Sequence, residues 1–259
     1  MAALVGLLGS SCKKEEVVIV PSDEARQLVM DSIEAHGGKE KWYGNGQLQF
    51  RWVYHMSDRG PDVVVDSIQT VDTTTLDVRH EVPGKEVSFG LTEGKAWISP
   101  KGEKFMPPVR FWSLTPFYFI GIPFIFNDEN ANFELLEKPM AFEGKDYTQV
   151  KVTYLAGAGD TPDDYYVLLI DPETKITRGA YYIVTNKMVA PEGPTPPKFI
   201  TLDNLTDIDG VKLASGHRTM EIKDGKIGKQ IRFTEVSGVK FLPKGTVDLS
   251  IPSEDLLIK

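Results

Sequence analysis

The pattern of apolar and polar positions changes period once along this chain. Ala25, Leu28, Val29 and Ile33 recur at the spacing of one helix face, and His36 continues that stripe. Pro21-Ser22-Asp23-Glu24 precedes it, with Ser22 placed to cap the helix and acids placed in its first turn. Gly37-Gly38 closes it, because glycine takes positive φ without a Cβ penalty. A short second helix or turn runs through Lys41-Trp42-Tyr43 to Gly44-Asn45-Gly46. The period then becomes two. Leu48, Phe50, Trp52, Tyr54 and Met56 alternate with Gln47, Gln49, Arg51, Val53 and His55, which is the pattern of a half-buried strand. Leu76, Val78, His80 and Val82 alternate in the same way. Further strands are predicted near 63–71, 86–91, 95–99, 147–155, 164–170, 177–184, 198–206, 212–222 and 229–236. Glu93-Gly94, Glu143-Gly144, Asp171-Pro172, Asp209-Gly210 and Asp224-Gly225 separate them, and Asp209-Gly210 is best read as a type I′ turn. Strands of similar length joined by tight turns predict one meandering antiparallel sheet, in a mainly β, α+β chain.

Two segments break this pattern. Residues 186–198 form a proline-rich loop, an expected surface excursion between strands. Residues 111–126 are almost wholly apolar and rich in aromatic rings, while Pro116, Gly121 and Pro123 prevent one regular helix or strand. Phe111, Trp112, Phe117, Phe119, Phe124 and Phe126 are the candidate ligand-binding residues here. The same residues fit a plug in the core, a lid or lining for an apolar cavity, or an exposed membrane or partner site.

Charge and cysteine content narrow the class. A formal net charge of −8 excludes the basic face that nucleic acid requires. No run reaches the 18 or so apolar residues of a membrane-spanning helix. The one cysteine, Cys12, follows the apolar and small residues 4–11 and precedes Lys13-Lys14-Glu15-Glu16. It has no internal disulfide partner, and this order of residues resembles the lipobox of bacterial lipoproteins. That resemblance implies lipidation of Cys12 and anchoring by acyl chains, each buried CH2 adding about 0.8 kcal/mol. The expected organisation is a signal-peptide remnant over 1–11, a lipidated cysteine and tether over 12–21, and a single domain over 22–259. The charged tether also resembles the segment after the acylated cysteine in surface-exposed lipoproteins of Bacteroidetes.

Candidates for catalysis are weak. His36 reads as a capping or packing group at a helix end, and His55 and His80 fall in different strands that could bring them face to face. No two histidines share a ligand spacing, so neither a metal nor another cofactor is expected. Asp160, Asp163 and Asp164 lack the ordered alternation of a calcium loop and read as a solvated hairpin turn. Asp203, Asp207 and Asp209 form a similar group. Ser215-Gly216-His217 has no identifiable acid, and Gly157-Ala158-Gly159 lacks the strand–loop–helix context of a phosphate loop.

The order of pieces carries a resemblance. It runs through Ala35-His36-Gly37-Gly38 with Lys41-Trp42, the strand 48–56, Thr92-Glu93-Gly94-Lys95-Ala96-Trp97, and the aromatic segment 111–126. It continues through Gly144-Lys145-Asp146-Tyr147, Pro162-Asp163-Asp164-Tyr165-Tyr166, Ile170-Asp171-Pro172-Glu173-Thr174 and Ile208-Asp209-Gly210-Val211-Lys212-Leu213. In that order the chain resembles an uncharacterised family of Bacteroidetes outer-membrane lipoproteins, distantly related to the LolA/LolB carriers. The resemblance implies an open, strongly curved antiparallel half-barrel, an N-terminal helix and an apolar plug or lid. It implies no catalytic residues, and in the carriers the concavity receives acyl chains. The expected protein is a lipid-anchored, non-enzymatic component of the bacterial envelope that binds a lipid or lipidated peptide. The alternative is a surface structural or accessory protein that binds a protein partner.

Overall fold

The structure is a computed structural model that describes residues 23–56, 63–155, 161 and 163–258. Ser22 and Cys12, and with them the expected helix cap and acyl anchor, lie outside the described residues. Helix α1 (Asp23–Ala35) buries Ala25, Val29, Ser32 and Ile33, and helix α2 (Lys39–Gly44) buries Trp42. Five strands follow: β1 (Gln47–His55), β2 (Val63–Asp72), β3 (Val78–Glu81), β4 (Ser88–Thr92) and β5 (Lys95–Ser99). Two short helices come next, α3 (Val109–Trp112) and α4 (Thr115–Ile120), then a 3-10 turn at Phe124–Phe126. The remaining strands are β6 (Ala131–Leu135), β7 (Met140–Phe142), β8 (Lys145–Tyr154), β9 (Tyr166–Ile170), β10 (Thr177–Tyr182), β11 (Lys198–Thr201), β12 (Asp203–Ile208), β13 (Val211–Lys223) and β14 (Lys226–Leu242).

The strands form a 14-stranded sheet in the order β5-β4-β3-β2-β1-β14-β13-β11-β10-β9-β8-β6, with β12 on β13 and β7 on β8. The described pairings are antiparallel, as tight turns demand. Glu93-Gly94, Glu143-Gly144, Asp209-Gly210 and Asp224-Gly225 all have positive φ at both residues, the condition for a type I′ hairpin. The β1–β14 pair joins the meander β1–β5 to the strands that follow the aromatic segment.

The expected strongly curved half-barrel is corrected. The fold is mixed α+β with a large antiparallel sheet that is open, with β5 and β6 at its two ends, and is not strongly curved. A sheet wrapped tightly around one plug would bury a single face. This one carries apolar clusters on both. Leu48, Phe50, Trp52, Val150, Leu168 and Ile200 pack on one face with α1, Trp42 and the segment 109–126. Phe142, Tyr147, Leu169, Tyr181 and Phe199 pack on the other. The predicted strand 198–206 is also corrected: it divides at Leu202, with β11 pairing β10 and β13 and β12 pairing β13.

The end of α1 is fixed to the sheet by its own backbone. The His36 carbonyl accepts from Lys212 N at 2.7 Å, and Gly37 has φ of 121°. A Cβ on Gly37 would stand 2.1 Å from the Gly210 carbonyl oxygen, so only glycine lets the helix end meet the β12–β13 turn. His36 is buried as expected of a packing group, its Nδ1 donating to the Lys212 carbonyl at 3.2 Å and its Nε2 accepting from Thr177 N at 3.1 Å.

Candidate functional site

The aromatic segment is neither one lid nor one plug. Pro108 precedes α3 and Pro116 occupies the first turn of α4, where a missing N–H costs nothing. Ser113 and Thr115 hydroxyls donate back to the carbonyls of Val109 and Phe111, at 2.8 and 2.6 Å, and hold the two short helices in succession. The six candidate rings separate into two sets. Trp112 is buried against Tyr54, with centroids 5.5 Å apart. Phe124 is buried and stacked on Trp42, and Phe126 is buried against Tyr166. These three belong to the core.

Phe111, Phe117 and Phe119 line two clefts on either side of α4, Phe117 being buried in the core as well. The larger, about 520 Å³, has Trp42, Phe117, Tyr154 and Tyr166 on its walls and Asn127, Asp128 and Glu129 among its polar groups. The smaller, about 260 Å³, is lined by Phe111, Leu114, Phe119, Tyr182 and Val184, with Arg110 among its polar groups. Tyr118, Thr161, Asp164 and Tyr166 line both, so the clefts adjoin. Phe119 lies between Tyr182, at 5.0 Å, and Trp52, at 6.5 Å between centroids.

The tyrosines of the walls carry no charge. Burial pushes the phenols of Tyr154, Tyr166 and Tyr182 above their ordinary value, so they stay protonated at neutral pH. Asp164 closes the expected turn, its N donating to the Thr161 carbonyl at 3.0 Å, but its side chain is held rather than free in solvent. Its Oδ1 accepts from both the backbone N and the hydroxyl of Thr185, each at 2.7 Å. Two acceptances on one oxygen tie the start of β9 to the end of β10 at the shared wall.

The other candidates for chemistry do not converge. His55 sits beside Glu235 at 3.0 Å, whereas His80 lies two strands away, held between Ser67 Oγ and the Ser113 carbonyl. The two do not face each other. Ser215 donates to the Asn204 carbonyl and His217 to the Thr201 carbonyl, which leaves no hydroxyl–imidazole pair between them. Among the described residues no group of three His, Cys, Asp or Glu side chains could hold a metal ion. Asp203 has a structural task instead. It accepts from Arg218 at 2.9 Å by two bonds, from Arg178 at 2.9 Å and from Thr201 at 2.7 Å. Glu143 completes the network by pairing with both arginines.

Sequence reading missed Tyr118, Tyr154, Asp164, Tyr166 and Tyr182 as cleft residues. The one available signal was the doublets Tyr165-Tyr166 and Tyr181-Tyr182, of which strand alternation sends one ring of each to the inner face.

No family model and no curated protein matches the chain. Solved structures do. A DUF1329 family protein from Desulfovibrio piger aligns at 12% identity, covering 85% of this chain and 94% of its own, with a TM-score of 0.51. A LolA superfamily protein from Nitrosomonas europaea aligns at 11% identity, covering 84% of this chain and 93% of its own, with a TM-score of 0.52. At these identities the likeness is one of fold: the chain is similar over most of its length to a LolA superfamily structure.

Proposed function

We propose that this protein is a lipid-anchored component of the bacterial envelope that binds an apolar ligand, a lipid or lipidated peptide, without catalysing a reaction on it. The observation that carries the reading is the pair of adjoining clefts around α4, where aromatic rings meet protonated phenols. Concave, mostly apolar sites with a few placed polar groups are what small apolar ligands fill. The fold likeness to a LolA superfamily protein supports the same reading. In this proposal Phe111, Phe117 and Phe119 contact the ligand, and Trp112, Phe124 and Phe126 support them from the core. Cys12 carries the acyl anchor.

Uptake of a fluorescent fatty acid tests the site. Phe119→Ser should weaken uptake at least several-fold while leaving the thermal midpoint close to wild type, because Phe119 is only half-buried. No uptake by the wild-type chain, or equal uptake by Phe119→Ser, would refute the cleft as the site. Anchoring is tested separately by labelled palmitate in cells expressing wild type and Cys12→Ala. Label on both, or on neither, refutes lipidation at Cys12.

A further inference from the structure

Beneath Phe119 the inner face of the sheet carries polar atoms with no mates. Trp52 on β1 is 2% exposed, and its Nε1 has no hydrogen-bond partner among the described residues. His217 on β13 is also 2% exposed, its ring 5.1 Å from that of Trp52. Its Nδ1 stands 2.7 Å from the Thr201 carbonyl, an atom that only accepts, so Nδ1 carries the proton. Burial lowers this imidazole to about 4, so it is neutral at pH 7 and its Nε2 is a bare lone pair. That Nε2 is likewise unpartnered among the described residues. Gln69, fully buried on β2 beside the Trp52–Ser67 register pair, leaves both amide atoms unpartnered. A polar atom buried unpaired loses its hydrogen bonds to water without replacement, so several of them on one face call for a ligand group.

The donor and acceptor pattern selects its chemistry. Trp52 can only donate and neutral His217 Nε2 can only accept. A hydroxyl does both in return. An ionised carboxylate or phosphodiester has no proton to offer His217, and the acids Asp128, Glu129 and Asp164 on the larger cleft disfavour an anion. Phe119 lines the smaller cleft and its ring also stacks on Trp52 at 6.5 Å between centroids, so that ring alone stands between the cleft and the Trp52 indole.

We propose that Trp52 and His217 bind the uncharged, hydroxyl-bearing head group of an amphipathic ligand whose chain lies in the smaller cleft, with Phe119 turning aside to admit it. This rests on the reading of the clefts as an apolar site and names what holds the other end of the chain.

The test compares three probes of equal chain length on the full chain by titration calorimetry: 1-monooleoylglycerol, methyl oleate and oleate. Oleate is included because Lys198 and Arg232 sit on the same face, at the register positions of Tyr182 and Thr219. Monooleoylglycerol should bind about tenfold or more tightly than methyl oleate, the scale of one or two satisfied buried hydrogen bonds. Trp52→Phe keeps a ring without the donor. His217→Asn keeps a donor for the Thr201 carbonyl and removes Nε2. Each should erase most of the preference and leave methyl oleate binding near wild type. Equal binding of monooleoylglycerol and methyl oleate, a preference retained in both variants, or tightest binding of oleate would overturn the head-group site while leaving the apolar cleft intact. Binding of none of the three would overturn both.

Discussion

The indole of Trp42 lies flat on the ring of Phe124, with centroids 4.6 Å apart and planes 4° from parallel. This contact joins the second helix, close to the N-terminal end of the fold, to the last turn of the aromatic segment. Both residues are essentially fully buried. Phe117 approaches the same indole at 5.7 Å, so Trp42 supports one wall of the larger cleft through a ring that faces it.

Phe124→Ala should therefore cost about 3–5 kcal/mol, the range for truncating a buried aromatic. Chemical denaturation followed by tryptophan fluorescence reads it directly. A loss below about 1 kcal/mol would mean that the ring is not part of the core. The contrast with Phe119→Ser, expected to spare the fold, separates the supporting rings from the contacting ones.

Strand β1 gives a cleaner comparison, because adjacent residues face opposite ways. Trp52 is buried in the core, and Trp52→Ala should cost about 3–5 kcal/mol. Arg51 points outward to Asp66, with Nη2 and Oδ2 2.6 Å apart and the arginine side chain 45% exposed. Exposed ion pairs contribute little, so Arg51→Ala should leave the denaturation midpoint almost unchanged. Equal losses for the two variants would contradict the observed burial of β1.

The alternation of β1 was legible because one face is dry and the other wet, and that contrast is written residue by residue. The Glu-Gly and Asp-Gly turns were legible for an equally local reason, their need for positive φ. The short edge strand β6 was not, since its alternation of Ala131, Phe133 and Leu135 with Asn132 and Glu134 lasts only five residues. Strand β14 runs to Leu242, beyond its predicted end at 236, because pairing with β1 carries it through the exposed Ser237, Gly238 and Lys240. The break at Leu202 depends on Arg178 and Arg218 gripping Asp203, a contact that local pattern does not encode. The site divides in the same way. Its aromatic segment stood out by composition, while its tyrosine wall comes from β8, β9 and β10 and exists only once those strands are in register.

Three buried histidines tie the stability of the fold to pH. Burial lowers His36, His80 and His217 from 6.5 to about 4. The unfolded chain thus binds more protons than the folded one between these values. Stability from keeping the rings neutral is complete above about pH 6.5 and is lost progressively as pH falls toward 4. Urea midpoints measured from pH 7.5 to 4 should fall across this window. The fall should be shallower in His217→Asn, which has no imidazole to titrate there. An identical slope in the two proteins would show that His217 does not contribute.

Asp203 governs a second, lower window. Burial alone would raise its carboxyl, but hydrogen bonds from Arg218, Thr201 and Arg178 outweigh this and bring it down to about 2. The folded value lies below the ordinary 3.8, so the carboxylate's contribution is present above about pH 3.8 and disappears as pH falls toward 2. Asp203→Asn keeps the shape and removes the charge that Arg178 and Arg218 share. At pH 7 it should lower stability by about 1–3 kcal/mol, the scale of hydrogen bonds to a charged group, held down because the arginines remain partly solvated. Glu143 stays to pair both arginines, which is a further reason to expect a moderate loss. The difference between wild type and Asp203→Asn should narrow as the pH falls below about 3.8. A difference that persists undiminished at pH 2 to 3 would mean that packing, not charge, accounts for Asp203, and would remove the ion network as the reason why the chain breaks between β11 and β12.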